Sequence, residues 1–159
     1  TWWNIVVGGS AGSFAVLAGA AAVSPELSPE AIGLALVLFL WTPPHFWSLA
    51  IAYRDDYAAA RVPMLPVVVG IPRAARAVLA GAVLMVAASL VPALLGMGLV
   101  YLAAAAGGGA YLIVKAAALA RAPDRQTALA AFHASLIQLS LLLLGVIGDA
   151  WLRAALAGV

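Results

Sequence analysis

Residues 31–52 read AIGLALVLFLWTPPHFWSLAIA, and Tyr53-Arg54-Asp55-Asp56-Tyr57 follows them directly. These 22 residues pass without one Asp, Glu, Lys or Arg, and the next charges come only at their end. A helix of about 20 apolar residues crosses a hydrocarbon core of about 30 Å, so the stretch predicts a membrane span that ends at a charged surface. Working outward, four more windows have the same character: Ile5 to Val23, Ala74 to Leu95, Met97 to Ala120 and Leu129 to Gly148. None alternates with period two, and each is about twice the length of a barrel strand, which argues against a β-barrel. The expected fold is all-α: a polytopic transmembrane helical bundle in which residues 1–159 form a single transmembrane domain.

Composition agrees. Of 159 residues 66% are hydrophobic and 9% charged, with a mean hydropathy of +1.11. A soluble domain carries roughly 45–50% apolar and 25% charged residues. Eight Lys and Arg and six Asp and Glu are too few to coat a water-facing surface of this size. A soluble domain, a disordered chain and a nucleic-acid binder are therefore excluded, in spite of a pI near 9.4. The absence of cysteine excludes a disulfide framework and thiolate metal sites. With alternating spans, Arg54, Arg61, Arg73, Arg76, Lys115, Arg121 and Arg125 gather at one face and Arg153 alone at the other. By the positive-inside rule the Tyr53–Pro72 loop is expected on the cytoplasmic side. With no initiator Met, signal peptide or basic leader before the first span, the sequence is expected to be a piece of a longer chain.

Polar groups inside such a bundle are functional candidates, because a charge at the bilayer centre costs about 2.5–3.5 kcal/mol even on the lenient scale. The first place is Trp41-Thr42-Pro43-Pro44-His45-Phe46-Trp47 with the Asp55–Asp56 pair beyond it. Adjacent prolines free carbonyls one turn earlier and bend a helix, which is tolerated where protein or a lined cavity satisfies them. At 100° and 1.5 Å per residue, a continuous helix would set Asp56 about 20° from His45 and about 16 Å farther along the axis. His45 is either a packing histidine bonded to a nearby carbonyl or a site residue, and the prolines beside it favour the site. Asp55 and Asp56 read equally as a solvated helix end or as a pair for Mg²⁺, which commonly takes one or two carboxylates plus phosphate oxygens. Arginines beside them would hold the remaining phosphate charge bidentately.

The second place is Arg61-Val62-Pro63-Met64-Leu65-Pro66, where two prolines predict an extended loop and the apolar pair between them predicts docking onto the bundle. In the third, Phe132-His133-Ala134-Ser135, a packing or snorkelling role is the better reading of His133. Asn4 shares a face with Gly8 and Gly12, and its amide, above a groove suited to close helix packing, reads equally as a packing group or a site residue.

The strings Asn4–Gly12, Trp41–Ala50, Tyr53–Ala58 and Val62–Val68, in this order and spacing, resemble the protoheme IX farnesyltransferases, the heme O synthases of the UbiA superfamily of intramembrane prenyltransferases. The likeness is dense over residues 4–68 and compositional beyond, apart from His133-Ala134-Ser135. It implies a nine-helix bundle of which these five spans are the C-terminal portion, the half with the first aspartate-rich motif being absent. It implies Mg²⁺ on Asp56 and Asp55 through the diphosphate of farnesyl diphosphate, with Arg54 pairing with phosphate or a propionate. His45 would contact heme B, Asn4 would face the cavity from the neighbouring helix, and Tyr57 would join the substrate site. Arg61 stands where the family pattern has a small residue, and would act as a substitute cation.

The implied reaction moves a farnesyl group onto a vinyl group of heme B in the cell inner membrane, among membrane lipid and with no nucleic acid. The fragment alone is expected to be inactive. The alternatives are another UbiA-type enzyme with a quinone or chlorin acceptor, a small multi-pass transporter, or a scaffold subunit. A transporter site belongs near the midplane, whereas the acidic pair here sits at the surface.

Overall fold

The computed structural model describes residues 1–158, and among them every regular element is helical. Five long helices carry the five expected spans: α1 (Asn4–Val23), α2 (Pro29–Ala52), α5 (Ile71–Leu94), α6 (Leu99–Arg121) and α7 (Arg125–Leu156). All five are long and apolar enough to cross a membrane. Two short helices, α3 (Arg54–Ala59) and α4 (Leu65–Val69), lie between α2 and α5. Local chemistry sets the ends. Ser28 caps α2, its Oγ accepting from the Ala31 amide at 3.2 Å, and Pro29 occupies the first turn, where a missing N–H costs nothing.

Helix α2 is the centre of the packing: it touches α1, α3, α4, α5 and α7, while α6 lies against α5 and α7. Helix α1 meets α2 alone among the helices. Its close approach is at Gly9, where a Cβ would stand 3.1 Å from Thr42 Cβ, and at Gly12 against Leu38; Gly8 faces open space. The small-residue groove thus runs through Gly9 and Gly12, keeping Gly12 of the expected Asn4–Gly8–Gly12 face and replacing Gly8 by Gly9. The α6–α7 contact also rests on absent side chains, since a Cβ on Gly145 would lie 2.7 Å from Ala104 Cβ.

Several polar groups in the interior are answered locally. Tyr101 Oη donates to Ser89 O at 2.7 Å, and Ser89 Oγ donates to Val86 O at 2.7 Å. At the end away from the basic residues, buried Asp149 accepts from Gly98 N at 2.8 Å and pairs with Arg153 Nε at 3.0 Å. Arg153 in turn donates to Gly96 O at 2.9 Å, clasping α7 to the turn between α5 and α6.

The segment expected to be extended between Pro63 and Pro66 is only partly so. Pro66 sits in the first turn of α4, a place where its ring favours a helix, and Met64 and Leu65 are buried as the docking reading requires. Before it, α3 ends in a Schellman closure: Val62 N bonds Tyr57 O at 2.9 Å and Arg61 N bonds Ala58 O at 3.0 Å. That closure puts Arg61 at φ 57°, the left-handed region. An L-residue with a Cβ pays about 1–2 kcal/mol there. Arg61→Gly is therefore expected to raise stability by about 1 kcal/mol in a detergent unfolding titration. Ala60→Gly, at φ −75°, should give no gain; equal effects from both changes would show that the strain at Arg61 is not there.

Candidate active site

Helix α2 stops at Tyr53 (φ −120°, ψ 30°), and α3 starts anew at Arg54. Tyr53 N still bonds Leu49 O, and Tyr53 O accepts from Tyr57 N, each at 3.1 Å. The alignment of His45 with Asp56 calculated for one continuous helix therefore does not hold, because the dihedrals of Tyr53 turn the chain between them. Asp55 and Asp56 instead occupy the first turn of α3, where carboxylates interact favourably with the helix dipole.

A cavity of about 430 Å³ opens at this break, lined by Ile51, Ala52, Tyr53, Arg54, Asp55, Asp56, Ile71 and Arg125. Arg54 Nη1 lies 3.0 Å from Asp55 Oδ1, with the Asp55 side chain 93% exposed. So exposed a pair contributes at most about 1 kcal/mol and is easily rearranged by a ligand. Asp56 makes no ion pair among the described residues and also lines a second cavity, of about 370 Å³, with Leu49, Tyr53, Tyr57, Ala60 and Val62. Among the described residues no three His, Asp or Glu side chains gather into a metal cluster. Two adjacent, accessible carboxylates nevertheless suit Mg²⁺, whose remaining positions are commonly filled by phosphate oxygens and water.

Arg125 is the member that sequence reading did not single out. It opens α7, whose start is fixed by a capping box: Asp124 Oδ1 accepts from Thr127 N at 2.7 Å and Thr127 Oγ1 accepts from Asp124 N at 3.1 Å. The Thr127 amide and hydroxyl hold the Asp124 carboxyl below its ordinary pKa. The Arg125 guanidinium rests 5.2 Å from the centre of the Tyr53 ring, with Nη2 3.5 Å from Tyr53 Oη.

Deeper in the bundle, His45 is buried in an aromatic slot. Its ring stacks on Trp41 at 4.1 Å and on Phe132 at 4.5 Å, with Phe46 edge-on at 5.0 Å. Nδ1 lies 2.7 Å from Ser135 Oγ, and Ser135 Oγ donates to Phe132 O at 2.7 Å. That hydroxyl has one proton and spends it on Phe132, so Nδ1 is the donor to Ser135. The neutral ring then presents the Nε2 lone pair. Trp41 Nε1 donates to Ser135 O at 2.9 Å, so both polar side chains of α2 here meet one residue of α7. Helix α2 runs on through Pro43 and Pro44, with Pro44 buried against α5, where Gly81 leaves room for its ring.

The remaining expected residues are scattered. Tyr57 lines the second cavity. Asn4 is exposed; its Oδ1 accepts from Ile5 N at 2.8 Å and its Nδ2 stands 3.8 Å from Met64 Sδ. Arg61 is exposed and lines neither cavity at this end. His133 is exposed, in line with a role outside the site. An apolar groove of about 380 Å³ runs between α1, α2 and α7, walled by Val16, Leu38, Leu142, Val146 and their neighbours.

Residues 1–146 match the model of the UbiA prenyltransferase family. The chain belongs to that family. Its five apolar helices and its UbiA membership make it a multi-pass membrane protein. It is 60% identical over 146 residues to protoheme IX farnesyltransferase 2 of Paramagnetospirillum magneticum, covering 92% of this chain and 51% of the relative. Protoheme IX farnesyltransferase 1 of the same organism is 54% identical over 93% of this chain and 53% of its own length. The protoheme IX farnesyltransferase of Thermus thermophilus is 48% identical over 89% of this chain and 24% of its own. The chain thus spans about half the length of the first two relatives. No solved structure matches it.

The geometry at Ser135 makes a prediction. Ser135→Ala leaves His45 Nδ1 without its buried partner, and should destabilise the protein by about 1–3 kcal/mol in detergent unfolding. Adding His45→Phe removes the orphaned group, so the double variant should lose clearly less than the two single losses summed. Strict additivity would mean that the two side chains are not bonded.

Proposed function

We propose that the protein is a heme O synthase, transferring the farnesyl group of farnesyl diphosphate to a vinyl group of heme B. The similarity to protoheme IX farnesyltransferases supports the reaction. The observation that carries the site is the pairing of two carboxylates and two guanidiniums around one cavity, at the exit of the helix that buries His45. A charged end and an apolar interior on one helix suit a substrate with an anionic head and a hydrocarbon tail.

In this reading Asp56 and Asp55 would hold Mg²⁺ together with the diphosphate, and Arg54 would leave Asp55 to bind phosphate oxygens bidentately. Bound Mg²⁺ supplies charge neutralisation for the leaving group. The allylic C–O bond breaks with its electron pair passing to the diphosphate, and a vinyl carbon of heme B bonds to the farnesyl carbon. Water adds to the remaining vinyl carbon, giving the hydroxyethyl group, and the proton it loses goes to the diphosphate. Tyr57 borders the anionic head from the second cavity, and Arg61 adds positive charge at this end. His45 offers its Nε2 lone pair to heme B, held by Ser135 and by the flanking aromatic rings. Asn4 contributes from the start of α1, beside the Met64 loop. The apolar bundle keeps water from the cation until coupling. The membrane is the cell's inner membrane, with residues 53–72 on the cytoplasmic side, a placing supported by the gathering of basic residues at that end.

Membranes containing the protein expressed from its own gene, given heme B, Mg²⁺ and farnesyl diphosphate, should form hydroxyethylfarnesyl heme detectable by mass spectrometry. Asp56→Asn should lower its rate by at least about a hundredfold, as for loss of a group stabilising a developing charge. Prenylation of a quinone in place of heme would overturn the acceptor. Full activity in Asp56→Asn would overturn the site.

A further inference from the structure

We propose that Arg125, at the start of α7, is a second guanidinium grip on the diphosphate, and that Tyr53 is its positioning residue. The proposal rests on the prenyl-transfer reading above and adds to it a residue from a different helix. Arg54 and Arg125 are the two cations lining the cavity of about 430 Å³. Arg54 has a carboxylate 3.0 Å away, whereas Arg125 makes no ion pair among the described residues. Among the described residues its single side-chain polar contact is the 3.5 Å approach to Tyr53 Oη. Most of its five N–H donors therefore have no protein partner among the described residues, on a side chain that lines the cavity.

Charge supports an anion as the occupant. The two arginines and two aspartates lining the cavity sum to zero, and one divalent cation on the carboxylates makes the sum +2. An anion of two or more charges with several oxygens fits such a site, and a diphosphate presents enough oxygens to engage the metal and both forks together. Arg125 is also held in advance. Its ring contact at 5.2 Å restricts a long side chain, and the capping box beneath it fixes the first turn of α7. Restricting it before binding lowers the ordering cost of gripping the anion. Because Tyr53 is also the residue at which α2 gives way to α3, one side chain ties the carboxylate helix to the arginine helix.

Inorganic pyrophosphate with Mg²⁺ is the probe, measured by calorimetry on the purified protein expressed from its own gene; heme B binding, followed by absorbance, runs in parallel. Arg125→Gln should weaken pyrophosphate at least about tenfold while heme B binding is retained, which also shows that the variant is folded. Arg125→Lys should recover only part of the loss, since an ammonium cannot make the bidentate fork. Tyr53→Phe keeps the ring and should bind nearly as the wild type, whereas Tyr53→Ala should weaken pyrophosphate and leave heme B unchanged. If Asp56→Asn weakens pyrophosphate and Arg125→Gln does not, the Arg125 proposal is overturned while the prenyl-transfer site stands. If Arg125→Gln instead weakens heme B alone, the arginine serves a propionate and the proposal is wrong. Failure of the wild type to bind pyrophosphate, or indifference to Asp56→Asn, would overturn the underlying site itself.

Discussion

Two hydrogen bonds from α2 converge on Ser135 of α7, and much of the site geometry depends on that meeting. In a medium without water, the indole N–H of Trp41 and the imidazole N–H of His45 need partners inside the protein. Ser135 answers both, with its carbonyl and its hydroxyl. The bonds fix the antiparallel register of the two helices. Counting back from Ser135, Arg125 lies about 15 Å along α7, while Tyr53 lies about 12 Å beyond His45 on α2. One register therefore places the imidazole in its aromatic slot and also sets Arg125 over the Tyr53 ring.

Energetics divide the protein into two kinds of region. Within the bundle every polar group carries a cost unless it is paired, so His45, Ser48, Ser89 and Tyr101 all have local partners. At the basic end the charges are solvated, inexpensive to hold and easily rearranged, as the proposed binding and release of an anionic head would require. The Asp149–Arg153 clasp at the other end shows a different use of charge: its carboxylate is buried and its Oδ2 engages both α7 and the α5–α6 turn. Similar residue types thus stay solvated at one end and fasten helices at the other.

Much of this was legible in the sequence. Four of the five spans emerge within three residues of their expected limits because length and apolarity decide them, whereas α7 begins four residues before Leu129 and runs eight beyond Gly148. Asp55, Asp56, Arg54 and His45 stood out as polar groups beside an apolar run, and Met64 and Leu65 dock as their apolar character in a polar loop implied. What failed is geometry that depends on one residue's dihedrals or on distant packing. Tyr53 breaks the helix, so the common face of His45 and Asp56 dissolves. Gly9 packs on α2 in place of Gly8. Arg125 is 72 residues from Tyr53, and nothing in a one-dimensional pattern joins them. Buried Asp149 and Gln138 were visible as polar residues within an apolar run and went unremarked; the Gln138 amide has no protein hydrogen-bond partner. Ser135 drew notice beside His133, yet the serine proved to be the buried partner and the histidine the exposed one.

The central claim is that the metal and the diphosphate sit at the break between α2 and α3, above the histidine slot. Fe²⁺ substituted for Mg²⁺ in the presence of pyrophosphate, with ascorbate and peroxide, cleaves the backbone beside the ion it replaces. The account predicts cuts within residues 53–60 that excess Mg²⁺ suppresses. Suppressible cuts centred on residues 41–47, or none at all, would contradict it.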